Sequence, residues 1–441
     1  MNWSDSERIA TVLEKSGYKP SLKMEGTDLI VVNMCSVRQS AVDRIFGLVL
    51  KFVKFKTLNR KLITILTGCV LKEDKNKFVK EFDLILDIKD LQQLPSLLKT
   101  KTSNLKSKTY LEIKPIYKSN FSASIPIMTG CNNFCSFCVV PYSRGKEISR
   151  PAKEIICEVK NLIKRGYKEI WLLGQNVNSY KSDKINFPKL LKMVNDIPGL
   201  QPTLHSINYC PLAKAGPNFW IRFTSSHPKD LSDKLIDAMA KCKKVTPYLN
   251  LPVQSGDNEI LKKMNRPYTV SHYKNLVKKI RRKIPKICLS TDIIVGFPGE
   301  NKKQFQNTVK LFKEIKFNMA YIAQYSPRPG TVAAKFKDDV SHREKEKRWR
   351  ILNDILKKTA SENNKRYIGK TVDVLVEDYR NGFLVGKSCH YKTVKIQNTK
   401  YKIQNTKLIG QFVKVKITNA NPFGLKGELI NHKKIKREAS L

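Results

Sequence analysis

The sequence is short of acidic residues and has no long apolar run. It contains 38 Asp and Glu residues against 83 Lys and Arg, which gives a formal net charge of +45. No stretch approaches the ~18 consecutive apolar residues of a membrane-spanning helix, so such a helix is excluded. The first residues, MNWSDSERIA, are polar and lack the apolar segment of a secretory signal. We therefore expect a cytoplasmic protein with no membrane partner.

The excess of positive charge has two explanations. Lysine-rich proteins bind polyanions such as nucleic acids, because binding releases counterions from the phosphate backbone. A genome-wide bias accounts for the charge equally well, because Lys, Ile and Asn are all abundant here. Charge alone does not decide the function, but the length of 441 residues predicts two to four domains.

The first segment of the chain alternates helical and strand-like patterns. Apolar residues at helical spacing predict a helix over Ser4–Ser16. Strand-like runs follow at Leu29–Asn33, Leu62–Leu66 and Leu84–Leu86. The mixture predicts an α/β protein whose N-terminal domain, residues 1–107, is a small open sheet.

The second segment repeats a strand-then-helix unit. Six strands are predicted, at Ser124–Met128, Glu169–Leu173, Trp220–Phe223, Pro247–Leu251, Leu289–Val295 and Ala320–Gln324. Such repetition predicts a partial (β/α) barrel over residues 117–350, with function at the carboxyl ends of the strands. Gln201–Asn218 does not fit the rhythm and is predicted to be an irregular loop.

The third segment has the period-two pattern of half-exposed strands. Val372, Val374 and Val376 alternate with polar residues, and so do Val413, Val415 and Ile417. This pattern predicts a small C-terminal β-barrel over residues 366–433. Outward lysines on such a barrel suit an RNA backbone, although a solvated face explains them equally well.

The strongest chemical signal is the segment GCNNFCSFC, which follows the first predicted barrel strand. Cys131, Cys135 and Cys138 form a C-x3-C-x2-C pattern there, and three thiolates in one loop can hold three corners of a [4Fe–4S] cluster. The fourth iron is then free to bind a small molecule such as S-adenosylmethionine. The alternative is zinc, but structural zinc sites use four ligands and no nearby Cys or His completes this set.

A second, weaker pair of cysteines lies in the first domain. Cys35 and Cys69 each follow a predicted strand, and the carboxyl ends of parallel strands meet in a common crevice. Two thiolates there could ligate a second cluster, but on the residues alone two buried free thiols are favoured.

Several motifs together resemble the radical S-adenosylmethionine methylthiotransferase family. They are GCNNFCSFCVVPYSRGKEISRP, NMCSVR, LLGQNVNSY, RFTSSHPKDL, NLPVQSG, STDIIVGFPGE and YSPRPGT, and they extend over nearly the whole chain. Within the family, NMCSVR and LLGQNVNSY resemble the branch that acts on N6-dimethylallyladenosine. The resemblance implies three domains: an N-terminal methylthiotransferase domain, a radical domain and a barrel called TRAM.

The resemblance also implies cofactors and a substrate. Family members use two [4Fe–4S] clusters and S-adenosylmethionine, and the implied substrate of this chain is C2 of N6-dimethylallyladenosine at position 37, in the tRNA anticodon loop. Cys131, Cys135 and Cys138 would hold the radical-generating cluster, and Cys35 and Cys69 two corners of the auxiliary one. The family's first cysteine has no counterpart here: either the true start lies upstream of Met1, where we expect this ligand, or the chain has lost it and holds the auxiliary cluster poorly. The implied S-adenosylmethionine contacts are Gly174, Gln175, Asn176, Arg222, Ser225, Gln254 and Gly296.

Two other functions remain open at this point. One is a sister enzyme that acts on threonylcarbamoyladenosine or on a ribosomal-protein aspartate. The other is a non-enzymatic RNA-binding protein whose cysteines hold zinc. The motifs specify no electron donor, and none of them points to an obligate oligomer, so we expect a monomer.

Overall fold

The computed structural model describes residues 1–37, 39–99, 109–199, 218–397 and 405–430. The loop predicted for Gln201–Asn218 lies outside these ranges apart from its last residue. Among the described helices, none has both the length and the apolar character needed to cross a lipid bilayer.

The N-terminal part is a three-stranded parallel sheet of order β1-β2-β3 with helices against it. Its elements are α1 (Asn2–Lys15), β1 (Leu29–Cys35), α2 (Gln39–Leu58), β2 (Ile63–Cys69), α3 (Lys72–Phe78), β3 (Leu84–Ile85) and α4 (Leu94–Leu97). The apolar face of α1 buries Ile9 and Val12 against the sheet and the segment after it. This arrangement confirms the small open α/β sheet predicted from the sequence.

The central part contains six long parallel strands in chain order. They are β4 (Ser122–Pro126), β7 (Glu169–Leu173), β10 (Trp220–Phe223), β11 (Tyr248–Asn250), β12 (Cys288–Val295) and β13 (Met319–Gln324). Two three-stranded sheets, β10-β7-β4 and β11-β12-β13, are joined by a bridge between Ile221 and Val245. No ladder within the described residues joins β4 to β13, so the predicted partial barrel is confirmed as an open one.

Helices and short hairpins connect these strands. The hairpin strands are β5 (Met128–Thr129), β6 (Ile148–Ser149), β8 (Lys181–Ser182) and β9 (Ile185–Asn186). The helices are α5 (Val140–Arg144), α6 (Ala152–Lys164), α7 (Phe187–Asn195), α8 (Asp233–Lys241), α9 (Asn258–Lys263), α10 (Val270–Lys283), α11 (Lys302–Ile315) and α12 (His342–Lys365). The largest apolar core lies between these helices and the strands, which fixes the strand ends that carry the site.

The C-terminal part is a closed barrel of order β14-β15-β16-β18-β17. Its strands are β14 (Thr371–Arg380), β15 (Phe383–Ser388), β16 (Thr393–Gln397), β17 (Phe412–Asn421) and β18 (Gly424–Leu429). Val413, Val415 and Ile417 fill its interior, whereas Lys416 is exposed. The predicted small barrel is therefore confirmed, and its alternation follows from the two-residue period of a strand.

Candidate active site

The three-cysteine loop begins where β5 ends and is fixed by its backbone. The Cys131 N–H donates to the Gly145 carbonyl over 3.2 Å, and the Cys138 N–H donates to the Cys135 carbonyl over 2.9 Å. The Asn265 amide donates to the carbonyl of Phe134 over 2.9 Å. These bonds hold the loop in one conformation from both sides.

Polar side chains and burial determine the protonation state of the loop thiols. Arg266 Nη1 donates to Cys135 Sγ over 3.3 Å, and Asn133 Nδ2 donates to Cys131 Sγ over 3.5 Å. Burial raises the pKa of Cys138 to about 12 and also raises the pKa of Cys131. Without a metal these thiols hold their protons, so cluster assembly must displace them.

All three loop cysteines line one cavity of about 510 Å³. It lies at the carboxyl ends of the central strands, where barrel folds of this kind carry their chemistry. Gln175, Ser225 and Gln254, three of the residues implied as S-adenosylmethionine contacts, also line it. Ser225 and Gln254 have φ values of +65° and +72°. Such strained backbone persists mainly where its surroundings enforce it, often at functional sites.

The other four implied contacts are not among the residues that line this cavity. Gly174 packs closely on Met128, and Asn176 donates to Asp230 Oδ2 over 2.7 Å. The Gly296 N–H donates to Glu300 Oε2 over 2.7 Å.

Arg222, the fourth, points to the C-terminal barrel. It donates to Glu169 Oε1 over 2.6 Å and to the Ser388 and Cys389 carbonyls over 2.9 and 3.1 Å. All seven assignments stay predictions: Gln175, Ser225 and Gln254 line the cavity, and the other four residues are not part of its lining.

The cavity wall holds buried polar atoms that suit a polar ligand. Gln175 Oε1, Ser226 Oγ and His227 Nε2 have no hydrogen-bond partner within the described residues. Unpaired buried polar atoms are costly and call for a partner. S-adenosylmethionine has amino, carboxylate and hydroxyl groups that can supply one, so the lining fits this cofactor.

The sequence alone leaves two roles open for the polar residues 225–227, which follow β10. Polar residues after a strand either bind a ligand or cap the next helix. His227 caps the short 3₁₀ helix that follows, since its Nδ1 accepts from the Lys229 N–H over 3.2 Å, and it also lines the cavity. Burial, then Arg266 and Lys229, lower its pKa to about 2, so the ring is neutral.

The three loop thiols lie near enough to one another for their charges to act on each other's pKa. In the part of the chain that the structure describes, no three His, Cys, Asp or Glu side chains are grouped to hold a metal ion. A zinc ion needs its ligands about 2.3 Å away in a tetrahedron. A cubane cluster takes each thiolate at a separate iron, so the donor set fits a [4Fe–4S] cluster better.

The second cysteine pair occupies the carboxyl ends of β1 and β2. Cys35 and Cys69 are register partners in the parallel ladder, so the predicted convergence of the two strand ends is observed. A hydrogen bond with Cys35, followed by burial, raises the pKa of Cys69. The Met1 amino group lies close enough for the charges of both cysteines to act on its pKa, which burial lowers.

A further cavity of about 650 Å³ lies between the two cysteine groups. Cys138 and Gln254 line it as well as the first cavity, and Val37 and Gln39 of the N-terminal part line its other side. Arg328 spans these parts of the chain with a 3.1 Å ion pair to the buried Asp74. The cavity therefore connects the three-cysteine loop with the segment that follows β1, although Cys35 and Cys69 are not among the residues that line it.

Three family models match the chain. The Radical SAM superfamily model matches residues 125–312, the TRAM domain model matches 365–430, and the model described as Uncharacterized protein family UPF0004 matches 1–87. Together, the fold, the cysteine loop and these matches define a radical SAM enzyme. That class implies S-adenosylmethionine and a [4Fe–4S] cluster as cofactors.

Curated relatives extend over almost the full length. Proteins named tRNA-2-methylthio-N(6)-dimethylallyladenosine synthase from Clostridium botulinum (strain Langeland) and Clostridium novyi are 42% and 40% identical. The alignments cover 98% of this chain and 95% and 94% of those proteins. The chain belongs to the family of tRNA-2-methylthio-N(6)-dimethylallyladenosine synthases and is a methylthiotransferase, as the resemblance predicted.

Solved structures give a more distant likeness. The radical S-adenosylmethionine methyltransferase TsrM from Kitasatospora setae is 14% identical, with a TM-score of 0.49. The match covers 74% of this chain and 68% of that one.

Proposed function

We propose that this chain methylthiolates C2 of N6-dimethylallyladenosine at position 37 of tRNA, with S-adenosylmethionine and two [4Fe–4S] clusters. The observation that carries the proposal is the pair of cavities that share Cys138 and Gln254 and reach from the three-cysteine loop to the N-terminal part. This region extends from Cys138 of the three-cysteine loop to Val37, two residues after Cys35. The names of the curated relatives favour this substrate over those of the sister enzymes.

Each part of the chain has a role in this proposal. Residues 117–350 form the radical domain, in which Cys131, Cys135 and Cys138 hold the first cluster. When bound, that cluster supplies the electron that cleaves S-adenosylmethionine to a 5′-deoxyadenosyl radical. Residues 1–107 hold the auxiliary cluster through Cys35 and Cys69, and residues 366–433 bind the RNA.

In this proposal, the side chains that line the cavity bind the S-adenosylmethionine and orient it. Gln175, Ser226 and His227 offer polar atoms to the cofactor, and the neutral His227 adds no competing positive charge next to a sulfonium. Arg266 offers positive charge to Cys135 once that thiol is ionised. A third ligand is proposed to complete the auxiliary cluster beside Cys35 and Cys69, which lie near enough to the Met1 amino group for their charges to act on its pKa.

The proposal is tested with single cysteine variants of the anaerobically reconstituted chain. Cys135→Ser should lose S-adenosylmethionine cleavage, because the loop then has only two thiolates. Cys69→Ser should keep cleavage but lose methylthiolation of an anticodon stem-loop RNA, measured by mass spectrometry. The exposed Cys157, on α6, supplies the control Cys157→Ser.

Iron and sulfide counts separate the outcomes. About eight of each per chain indicate two [4Fe–4S] clusters and about four indicate one. If a count of four rises to eight when the chain is extended upstream of Met1, the proposed third ligand is supported. Zinc in place of iron would overturn the proposed mechanism.

A further inference from the structure

Three tyrosines separate the active-site cavity from a smaller one beside it. Tyr248, Tyr321 and Tyr391 line both the 510 Å³ cavity and a second cavity of about 120 Å³. Tyr248 and Tyr321 come from β11 and β13 of the open barrel, but Tyr391 comes from the turn between β15 and β16. The C-terminal barrel therefore contributes a wall residue to the cavity that contains the cysteine loop.

The backbone at Tyr391 is held in an unfavourable conformation. Its φ is +60°, in the left-handed region that favours glycine. Its N–H donates to the Ser388 carbonyl over 2.9 Å, which closes the turn. Arg222 anchors the same turn to the radical domain through its bonds to the Ser388 and Cys389 carbonyls. Strain that is enforced from two sides indicates a position with a function.

The Tyr391 ring belongs to a cluster of aromatic groups. Its centroid lies 4.9 Å from that of Tyr248 and 5.1 Å from that of Trp171, which also lines the active-site cavity. The Arg222 guanidinium lies 5.1 Å from the ring of Tyr391. Every nucleobase has a flat π-face, so aromatic side chains on a cavity wall offer it a stacking surface.

The charge behind these rings suits a nucleotide. Lys387 and Lys392 line the smaller cavity, and Lys387 Nζ lies 4.9 Å from the Tyr391 ring. The tyrosines line both cavities, and the two lysines line the smaller one. This combination of aromatic rings and positive charge matches a base joined to a phosphate. An apolar peptide or a lipid chain has no anionic group to pair with these lysines, so this combination does not favour either ligand.

We propose that Tyr391, with Tyr248 and Tyr321, forms the platform on which the target adenine stacks inside the active-site cavity. The barrel then completes the substrate site, in addition to any contact with the RNA backbone, and Arg222 is the positioning residue for the turn. This inference rests on the proposed tRNA substrate and adds the side chains that hold its base.

The experiment measures RNA affinity of the full, reconstituted chain. One probe is an anticodon stem-loop RNA with N6-dimethylallyladenosine at the target position, and the other is the same RNA with an abasic site there. The variants are Tyr391→Leu, which removes the π-face, and Tyr391→Phe, which keeps it. Tyr379→Leu is the matched control, because Tyr379 is an exposed barrel tyrosine outside the described lining of either cavity.

Tyr391→Leu should weaken binding of the base-containing RNA by about fivefold to about a hundredfold, the usual effect of losing one stacking contact. Tyr391→Phe and Tyr379→Leu should bind both RNAs like the unaltered chain, and the abasic RNA should not distinguish any variant. Iron and sulfide per chain after reconstitution should be the same in Tyr391→Leu as in the unaltered chain, which shows that the fold and the cluster sites are intact.

Equal losses with both RNAs, or no loss with either, would overturn the platform while leaving the proposed function in place. Loss of iron and sulfide together with RNA affinity would assign Tyr391 a purely structural role and overturn the platform too. If the unaltered chain fails to prefer the base-containing RNA, the proposed substrate fails and the platform fails with it.

Discussion

Arg144 donates a hydrogen bond from Nε to the Sγ of Cys69 over 2.9 Å. Arg144 ends α5, the short helix that follows Cys138, whereas Cys69 ends β2 in the N-terminal part. A residue of the three-cysteine loop region thus contacts a proposed ligand of the other cluster. Arg144 therefore links the helix that follows the cysteine loop to Cys69.

The first prediction concerns iron binding at Cys35 and Cys69. Arg144 also forms a 2.5 Å buried ion pair with Asp5, so Arg144→Met alone would leave an unpaired carboxylate. The double variant Asp5→Asn, Arg144→Met avoids this cost. It should bind iron at the auxiliary site about 10–100-fold more weakly, as loss of a partner that supports a metal ligand usually does.

Chelator competition and electron paramagnetic resonance measure this affinity in a chain whose Cys131, Cys135 and Cys138 are replaced by Ala. Arg350→Met, which removes an arginine that is 68% exposed, is the control. Unchanged iron affinity in the double variant would contradict a supporting role for Arg144.

The second prediction concerns the attachment of the C-terminal barrel. Arg222 is 1% exposed and is paired with Glu169, which is also buried. Arg222→Met should lower the free energy of unfolding by about 3–5 kcal/mol, because it leaves a buried charge without its partner. Arg222→Lys should recover only part of this, since an ammonium cannot reproduce the forked geometry of a guanidinium.

Urea unfolding and limited trypsin digestion are the measurements, with the exposed Arg380→Met as control. The barrel should be released earlier in Arg222→Met. A barrel that stays as resistant to trypsin as in the unaltered chain would show that other contacts attach it.

The sequence predicts the parts of this site that depend on local pattern. Cys131, Cys135 and Cys138 were recognisable from their spacing, whereas Gln175 and Ser225 were implied by the family resemblance; both follow strands, and parallel strands end at one edge. Arg222 lies in a strand that the sequence predicts. Its guanidinium, however, contacts a turn in a different domain, and the local pattern does not indicate that contact.

Tyr391 shows the limit of such reasoning. It lies in the barrel turn, and only the docking of two domains brings its ring to Trp171 and Tyr248. No spacing or periodicity in the sequence indicates that Tyr391 contacts these two residues. Contacts between domains are set by the packing of whole surfaces, so they could not be predicted from local patterns.

The third prediction concerns pH. Burial, with Arg266 and Lys229, lowers the pKa of His227 to about 2, whereas an unfolded histidine titrates near 6.5. Between these values the unfolded chain binds one more proton, so stability falls as pH falls below 6.5. This group should contribute a loss of about 1.4 kcal/mol per pH unit.

Urea unfolding at pH 6.5 and 5.5 tests the difference. His227→Gln should lose less stability over this interval than the unaltered chain, and the exposed His272→Gln serves as the control. The same slope in His227→Gln and the unaltered chain would mean that the His227 ring does not resist protonation.

The last prediction concerns the glycine before the cysteine loop. Gly130 has φ +75°, and a Cβ there would lie 2.0 Å from the Lys146 carbonyl oxygen. Gly166 has φ +91°, but within the described residues nothing lies within 4 Å of its Cβ position. Both glycines carry the same kind of backbone strain on substitution, and only Gly130 adds a clash with the backbone.

Gly166→Ala should therefore lower the free energy of unfolding by about 1–2 kcal/mol, because it only places an alanine in a left-handed backbone conformation. The variant should bind as much iron as the unaltered chain. Gly130→Ala must separate the chain from Lys146, which breaks the 3.2 Å bond from the Cys131 N–H to Gly145 and moves the first thiolate. Iron and sulfide per chain after anaerobic reconstitution should fall by about four in Gly130→Ala alone. Equal iron in the two variants would mean that the loop tolerates the displacement, and that the thiolates are positioned by the cluster and not by the backbone.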